Sequence, residues 1–168
     1  MKAKLIVEGK EFPIEIKDPE LQKLLTPQKK TGYERVDGSE KYWCQVSSGN
    51  AIYIYNRHDA NDIACYNTAN YYSDEIVAKN NTRADKLMRQ LRRFAVEHRK
   101  SEIDWNNESQ GKYHIYHEAN TTHLDIECVH ITRYFGGIYF DTSEAAYLAI
   151  DTFHDELMWY FTEYKDGL

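Results

Sequence analysis

The sequence predicts a mixed α+β protein: two copies of a strand-rich unit, each followed by a long helix, behind an N-terminal β-hairpin and a short helix. Three observations lead there. Short aromatic and β-branched runs alternate with turns containing Gly or Asn. Two long segments carry apolar residues at the three- and four-residue spacing of a buried helical stripe. The second half also echoes the first: Lys112-Tyr113-His114-Ile115-Tyr116 follows Lys41-Tyr42-Trp43-Cys44-Gln45, and Tyr139-Phe140-Asp141-Thr142-Ser143-Glu144 follows Tyr71-Tyr72-Ser73-Asp74-Glu75, at nearly the same offset.

Taken in order, Lys4 to Val7 and Phe12 to Ile16 are strand-like runs joined by Glu8-Gly9-Lys10, which predicts a hairpin. Asp18-Pro19-Glu20 supplies a cap, a proline at the first helical position and an acidic first turn, with Leu21, Leu24 and Leu25 on one face. Thr26 to Ser39 lacks periodicity and reads as a connecting loop. Tyr42 to Val46 and Ala51 to Tyr55 flank a Ser47-Ser48-Gly49-Asn50 turn. Beyond a polar loop, Ile63 to Tyr72 is expected as a further strand. Ser73 is expected to cap a helix over 73–99, whose stripe is Ala84, Leu87, Met88, Leu91, Phe94 and Ala95. Strands then follow at Lys112 to Tyr116, Thr122 to His130 and Ile138 to Phe140, with Gly136-Gly137 as a turn. A last helix over 143–164 buries Ala146, Ala149, Ile150, Phe153, Leu157 and Tyr160. The divisions are 1–38, 39–100 and 101–168.

With 168 residues, 42% hydrophobic and 29% charged, the chain is long enough to bury a core without staples. No apolar run reaches membrane-spanning length, and the N-terminus lacks a signal-peptide core, so the expected setting is the cytoplasm. Three widely spaced cysteines, Cys44, Cys65 and Cys128, suggest buried thiols rather than disulfides or a zinc site. The net charge of −6 is unevenly spread. Residues 1–82 hold 11 basic and 12 acidic side chains, 83–100 hold 7 and 2, and 101–168 hold 3 and 13. One helix is therefore basic and the last third strongly acidic, a surface that repels phosphates and attracts basic proteins.

The combination of Tyr42-Trp43 before the Gly49-Asn50 turn, then Asn70-Tyr71-Tyr72-Ser73 opening an Arg-rich helix, resembles small uncharacterised proteins of phages and mobile elements of Gram-positive bacteria. Several anti-CRISPR and other anti-defence inhibitors are small acidic α+β proteins of that setting. The resemblance implies a viral protein acting in the host bacterial cytoplasm.

Chemistry-bearing patterns are few. His123, Asp125 and Glu127 alternate along a strand and would share a face, a donor set suited to zinc or manganese. A solvated strand face backed by Leu124, Ile126 and Cys128 gives the same pattern. No phosphate loop, dinucleotide fingerprint or nucleophile elbow is present, so neither catalysis nor a cofactor is expected. On the basic helix, Lys86, Arg89, Arg93 and Lys100 fall to one side and could follow a phosphate backbone of single-stranded nucleic acid, or pair with the acidic segment. On the last helix, Glu144, Asp151, Asp155, Glu156 and Trp159 form an acidic, aromatic surface. The first expectation is an inhibitor that binds a host defence protein, foremost a CRISPR RNA-guided nuclease. The alternatives are a single-stranded nucleic-acid-binding accessory protein and, last, a metal-dependent nuclease.

Overall fold

The computed structural model describes residues 2–7, 10–21 and 30–164. It divides into two units, residues 1–31 and 32–168. In the first, β1 (Lys2–Val7) pairs antiparallel with β2 (Lys10–Glu15), from Lys2↔Glu15 to Val7↔Lys10. Asp18 then accepts hydrogen bonds from the Glu20 and Leu21 amides at 2.8 and 3.3 Å, the capping geometry its position predicts. Helical backbone begins at residues 19–21; Glu8, Gly9, Leu24 and Leu25 lie outside the described residues.

Among the described residues, the second unit is an α+β assembly of two hairpins and three helices. Strands β3 (Lys41–Gln45) and β4 (Ala51–Tyr55) form one antiparallel hairpin, β5 (Lys112–His117) and β6 (Leu124–Val129) the other. The helices are α1 (Ala60–Asn67), α2 (Glu75–Glu97) and α3 (Ser143–Thr162). Helix α2 packs on the first hairpin and on α3, which covers the second hairpin. Between them lies the main core, where Leu87, Leu91 and Phe94 of α2 meet Ala146, Ala149, Ile150 and Leu157 of α3, with Leu124 and Phe140. A smaller core, Tyr42, Cys44 and Tyr71, sits on the other face of the first hairpin, its two tyrosine rings stacked at 3.9 Å.

Two sequence expectations are corrected here. Ile63 to Tyr72 is not a strand, because Asp59 caps a helix: its carboxylate accepts from the Asn61 and Asp62 amides while Asp62 reaches back to the Asp59 amide. That reciprocal cap satisfies the first turn, and β structure is confined to a single bridge, Trp43↔Tyr72. Asn70 extends the bridge with its side chain, accepting from the Gln45 amide at 2.6 Å and donating to the Gln45 carbonyl at 2.9 Å. Likewise Ile138 to Phe140 contributes one bridge, Tyr113↔Phe140, rather than a strand.

The cap of α2 is Asp74 and not Ser73. Asp74 accepts from the Ile76 and Val77 amides at 2.8 and 3.0 Å, and the Ser73 hydroxyl donates to Glu34. Gly32 permits the close approach of this segment: its φ is +89°, and a Cβ there would stand 2.7 Å from Val77 Cγ2. Among the described residues, no helix is long and apolar enough to cross a membrane.

Candidate functional site

The proposed metal donors do not converge. Glu127 and His114 are cross-strand neighbours, and Glu127 Oε2 lies 2.9 Å from His114 Nε2. Asp125 instead accepts from the Tyr147 hydroxyl of α3 at 2.9 Å and from the Ile126 amide at 2.8 Å, which hold its carboxyl below the ordinary range. His123 precedes the strand, with Nε2 3.6 Å from Asp125 Oδ2. Among the described residues, no three His, Cys, Asp or Glu side chains gather as a metal site. Cys44 is buried and Cys65 half-buried, but Cys128 is exposed, so the dry strand face stops at Ile126. Burial pushes the Cys44 thiol up to about 11.

The basic face of α2 is drawn into local contacts. Gln45 lies between Asp85 and Arg89; with its amide oriented to suit both, it donates to Asp85 at 2.9 Å and accepts from Arg89 at 2.8 and 3.0 Å. Arg93 reaches Glu97 at 3.6 Å. Lys100 lies beyond the end of α2 at Glu97 and so is not on that face; its backbone amide donates to the buried Asp141 carboxylate, and its charge also favours ionised Glu144. Arg83, which the one-sided charge pattern left out, makes the contact with the acidic segment. Its guanidinium grips Glu156 at 2.8 and 3.1 Å and lies 4.0 Å from the centre of the Trp159 ring. Lys86 has no ion-pair partner among the described residues.

That contact divides the acidic helix. Glu156 and Trp159 join α3 to α2: Trp159 is buried, and the half-exposed Glu156 is engaged by Arg83. Glu144, Asp151 and Asp155 remain exposed, and two residues unmarked by charge patterning stand among them: Tyr147 at 48% exposure and Leu148 at 46%. Their i+3 and i+4 spacing from Glu144 places them on its side of the helix. Glu144 is held below the usual carboxylate range by its own backbone amide and then by Lys100.

A buried polar pair lies apart from both faces. The Tyr42 hydroxyl donates to Asp62 at 2.8 Å, and Asp62 also accepts from the Arg57 and Asp59 amides. Burial pushes Asp62 up, but these donors outweigh it and hold the carboxyl below its ordinary value; burial and the same bond push Tyr42 up. The pair is enclosed by the small core and fixes the entry to α1. No protein-family model matches this chain, and neither a curated protein nor a solved structure shows significant similarity to it.

Proposed function

We propose that the protein is a non-enzymatic, phage- or mobile-element-encoded inhibitor whose α3 face binds a basic surface of a host defence protein, foremost a CRISPR RNA-guided nuclease. The observation that carries this reading is the exposed set Glu144, Tyr147, Leu148, Asp151 and Asp155. Three carboxylates interleaved with an aromatic and an aliphatic side chain offer long-range attraction and short-range burial to a cationic partner. A nuclease that holds nucleic acid in a basic channel presents that complement, and occupation of the channel would exclude its substrate.

The same proposal includes an internal repeat. In each half a hairpin leads to one bridge back onto its first strand, Trp43↔Tyr72 and Tyr113↔Phe140, and the helix cap follows two residues later at Asp74 and Thr142. Superposition of residues 41–97 on 112–162 tests this part.

The inhibition test titrates the protein into a purified, guide-loaded nuclease from the same host and reads target cleavage. The expected result is near-stoichiometric inhibition that weakens with salt and falls at least about tenfold for Asp151→Lys/Asp155→Lys, since two reversed charges each remove on the order of 1 kcal/mol or more at an interface. Undiminished cleavage with the unaltered protein, or equal inhibition by the folded double variant, overturns the reading.

A further inference from the structure

The cations that converge in the structure are not the four the helical spacing placed together. Lys79, Arg83 and Lys86 line a cavity of about 400 Å³ between α2 and the β3–β4 turn, whose Gly49, Asn50 and Ala51 form its other wall. Thr82 lines it between them, and its hydroxyl is buried without a hydrogen-bond partner among the described residues. Lys79 is 2.5 Å from Glu75 and Arg83 is shared with Glu156, while Lys86 has no ion-pair partner among the described residues. Arg89 adds a fourth cation beside the same turn, with Nη2 3.8 Å from where a Gly49 Cβ would lie. Asp85, through Gln45, is the facing carboxylate.

An aromatic platform of rings set edge to face, at 73° and 84° to one another, is joined to the cavity through Lys79. Trp43 and Tyr53 are cross-strand partners with ring centres 5.7 Å apart, and Tyr55 continues the row at 6.0 Å from Tyr53. Tyr53 is 50% exposed. Lys79 serves both features, since its ammonium lies 5.9 Å from the Trp43 ring centre, and Lys41 stands 4.7 Å from that of Tyr53. A ligand that uses the cavity and the platform together must carry anions and unstacked planar rings in alternation. We infer that this groove binds single-stranded nucleic acid, with backbone phosphates at Lys79, Arg83 and Lys86 and bases on Trp43 and Tyr53. A duplex keeps its bases stacked on each other and leaves the platform unused. Inorganic phosphate uses the cavity alone.

The test is fluorescence anisotropy with a labelled oligothymidylate of about twelve nucleotides, a length within the site sizes of single-strand binders. Binding is expected at low salt, with log affinity falling against log salt at a slope of about 2 for three phosphates. Lys79→Gln/Lys86→Glu should weaken it at least about tenfold and flatten the slope. Tyr53→Ala should weaken it about tenfold with the slope unchanged, as loss of one stacked base does. Arg92→Gln, exposed on the same helix but outside the groove, should stay within about twofold. Absence of binding at low salt, equal affinity for the duplex, displacement by inorganic phosphate at matched ionic strength, or equal losses for Arg92→Gln and the double variant would each overturn the assignment. Circular dichroism confirms that each variant is folded, and the nuclease-inhibition assay is read separately, so failure here leaves the α3 reading standing.

Discussion

Lys112 opens β5 and is fully buried, yet no carboxylate among the described residues pairs with it. Its ammonium donates to the Asn107 carbonyl at 2.8 Å and the His130 carbonyl at 2.7 Å, and lies 5.4 Å from the centre of the Trp105 ring. Lys112→Met preserves the apolar stem and removes the charge together with both hydrogen-bond donations. Each carbonyl left unpaired costs about 1–3 kcal/mol. Relief from burying the ammonium returns part of that, because desolvating a cation costs several kcal/mol. A net loss of about 2–4 kcal/mol follows, equivalent to roughly 5–15 °C in melting temperature for a chain of this size. Urea unfolding followed by tryptophan fluorescence measures it, with Trp105 close enough to report the site directly. Lys41→Met provides the comparison, since Lys41 is the predicted counterpart in the first half but is exposed; its loss should stay within about 0.5 kcal/mol. A loss below about 1 kcal/mol for Lys112→Met would show that desolvation cancels the two hydrogen bonds, and would refute the argument.

Asp62→Asn should cost about 2 kcal/mol at neutral pH, because it removes a buried carboxylate accepting from Tyr42 and two amides. The folded-state pKa of Asp62 lies below the unfolded value near 3.9, so its contribution is present above that pH and lost as pH falls through the folded value. Denaturant titrations between about pH 2.5 and 6 should therefore show the variant losing less stability on acidification than the unaltered protein. For the thiols, a chromogenic disulfide reagent should modify Cys128 well before Cys44. Because Cys44 is pushed up to about 11, the unfolded chain loses that proton first as pH rises, so stability should fall between about pH 9 and 11, and Cys44→Ala should remove that decline.

The two long helices were the most legible part of the chain. Apolar residues at helical spacing mark α2 and α3 to within two residues at each end, because each buries an apolar stripe in the main core, that of α3 running across a kink at Phe153 (φ −116°, ψ 19°). The first central hairpin follows from its aromatic and β-branched runs and the Ser47-Ser48-Gly49-Asn50 turn; for the second, the two strands were legible but not their pairing. The residues 60–67 were misread because Ile63, Cys65 and Tyr66 suit a strand, whereas Asp59 and Asp62 close a reciprocal cap that outweighs side-chain preference. The candidate faces were legible only in part. Charge counts located the acidic and basic helices, but Glu156 and Trp159 belong to the contact with Arg83, a pairing 73 residues apart in sequence that no periodicity reveals. The groove was hidden for the same reason: its cations lie on α2, its far wall is a turn some 30 residues earlier, and the rings beside it look like ordinary strand aromatics.

Asn70 sets a demand on any chain built this way. A side chain that pairs with both the amide and the carbonyl of Gln45 needs one donor and one acceptor on a two-carbon reach. Aspartate lacks the donor and glutamine is one carbon too long. The position should thus stay asparagine after the surrounding strands have diverged, two residues before the bridging aromatic and four before the carboxylate that caps the helix. That short spelling, Asn-Tyr-Tyr-Ser-Asp in this chain, is a fingerprint by which distant kin can be sought when overall identity has faded.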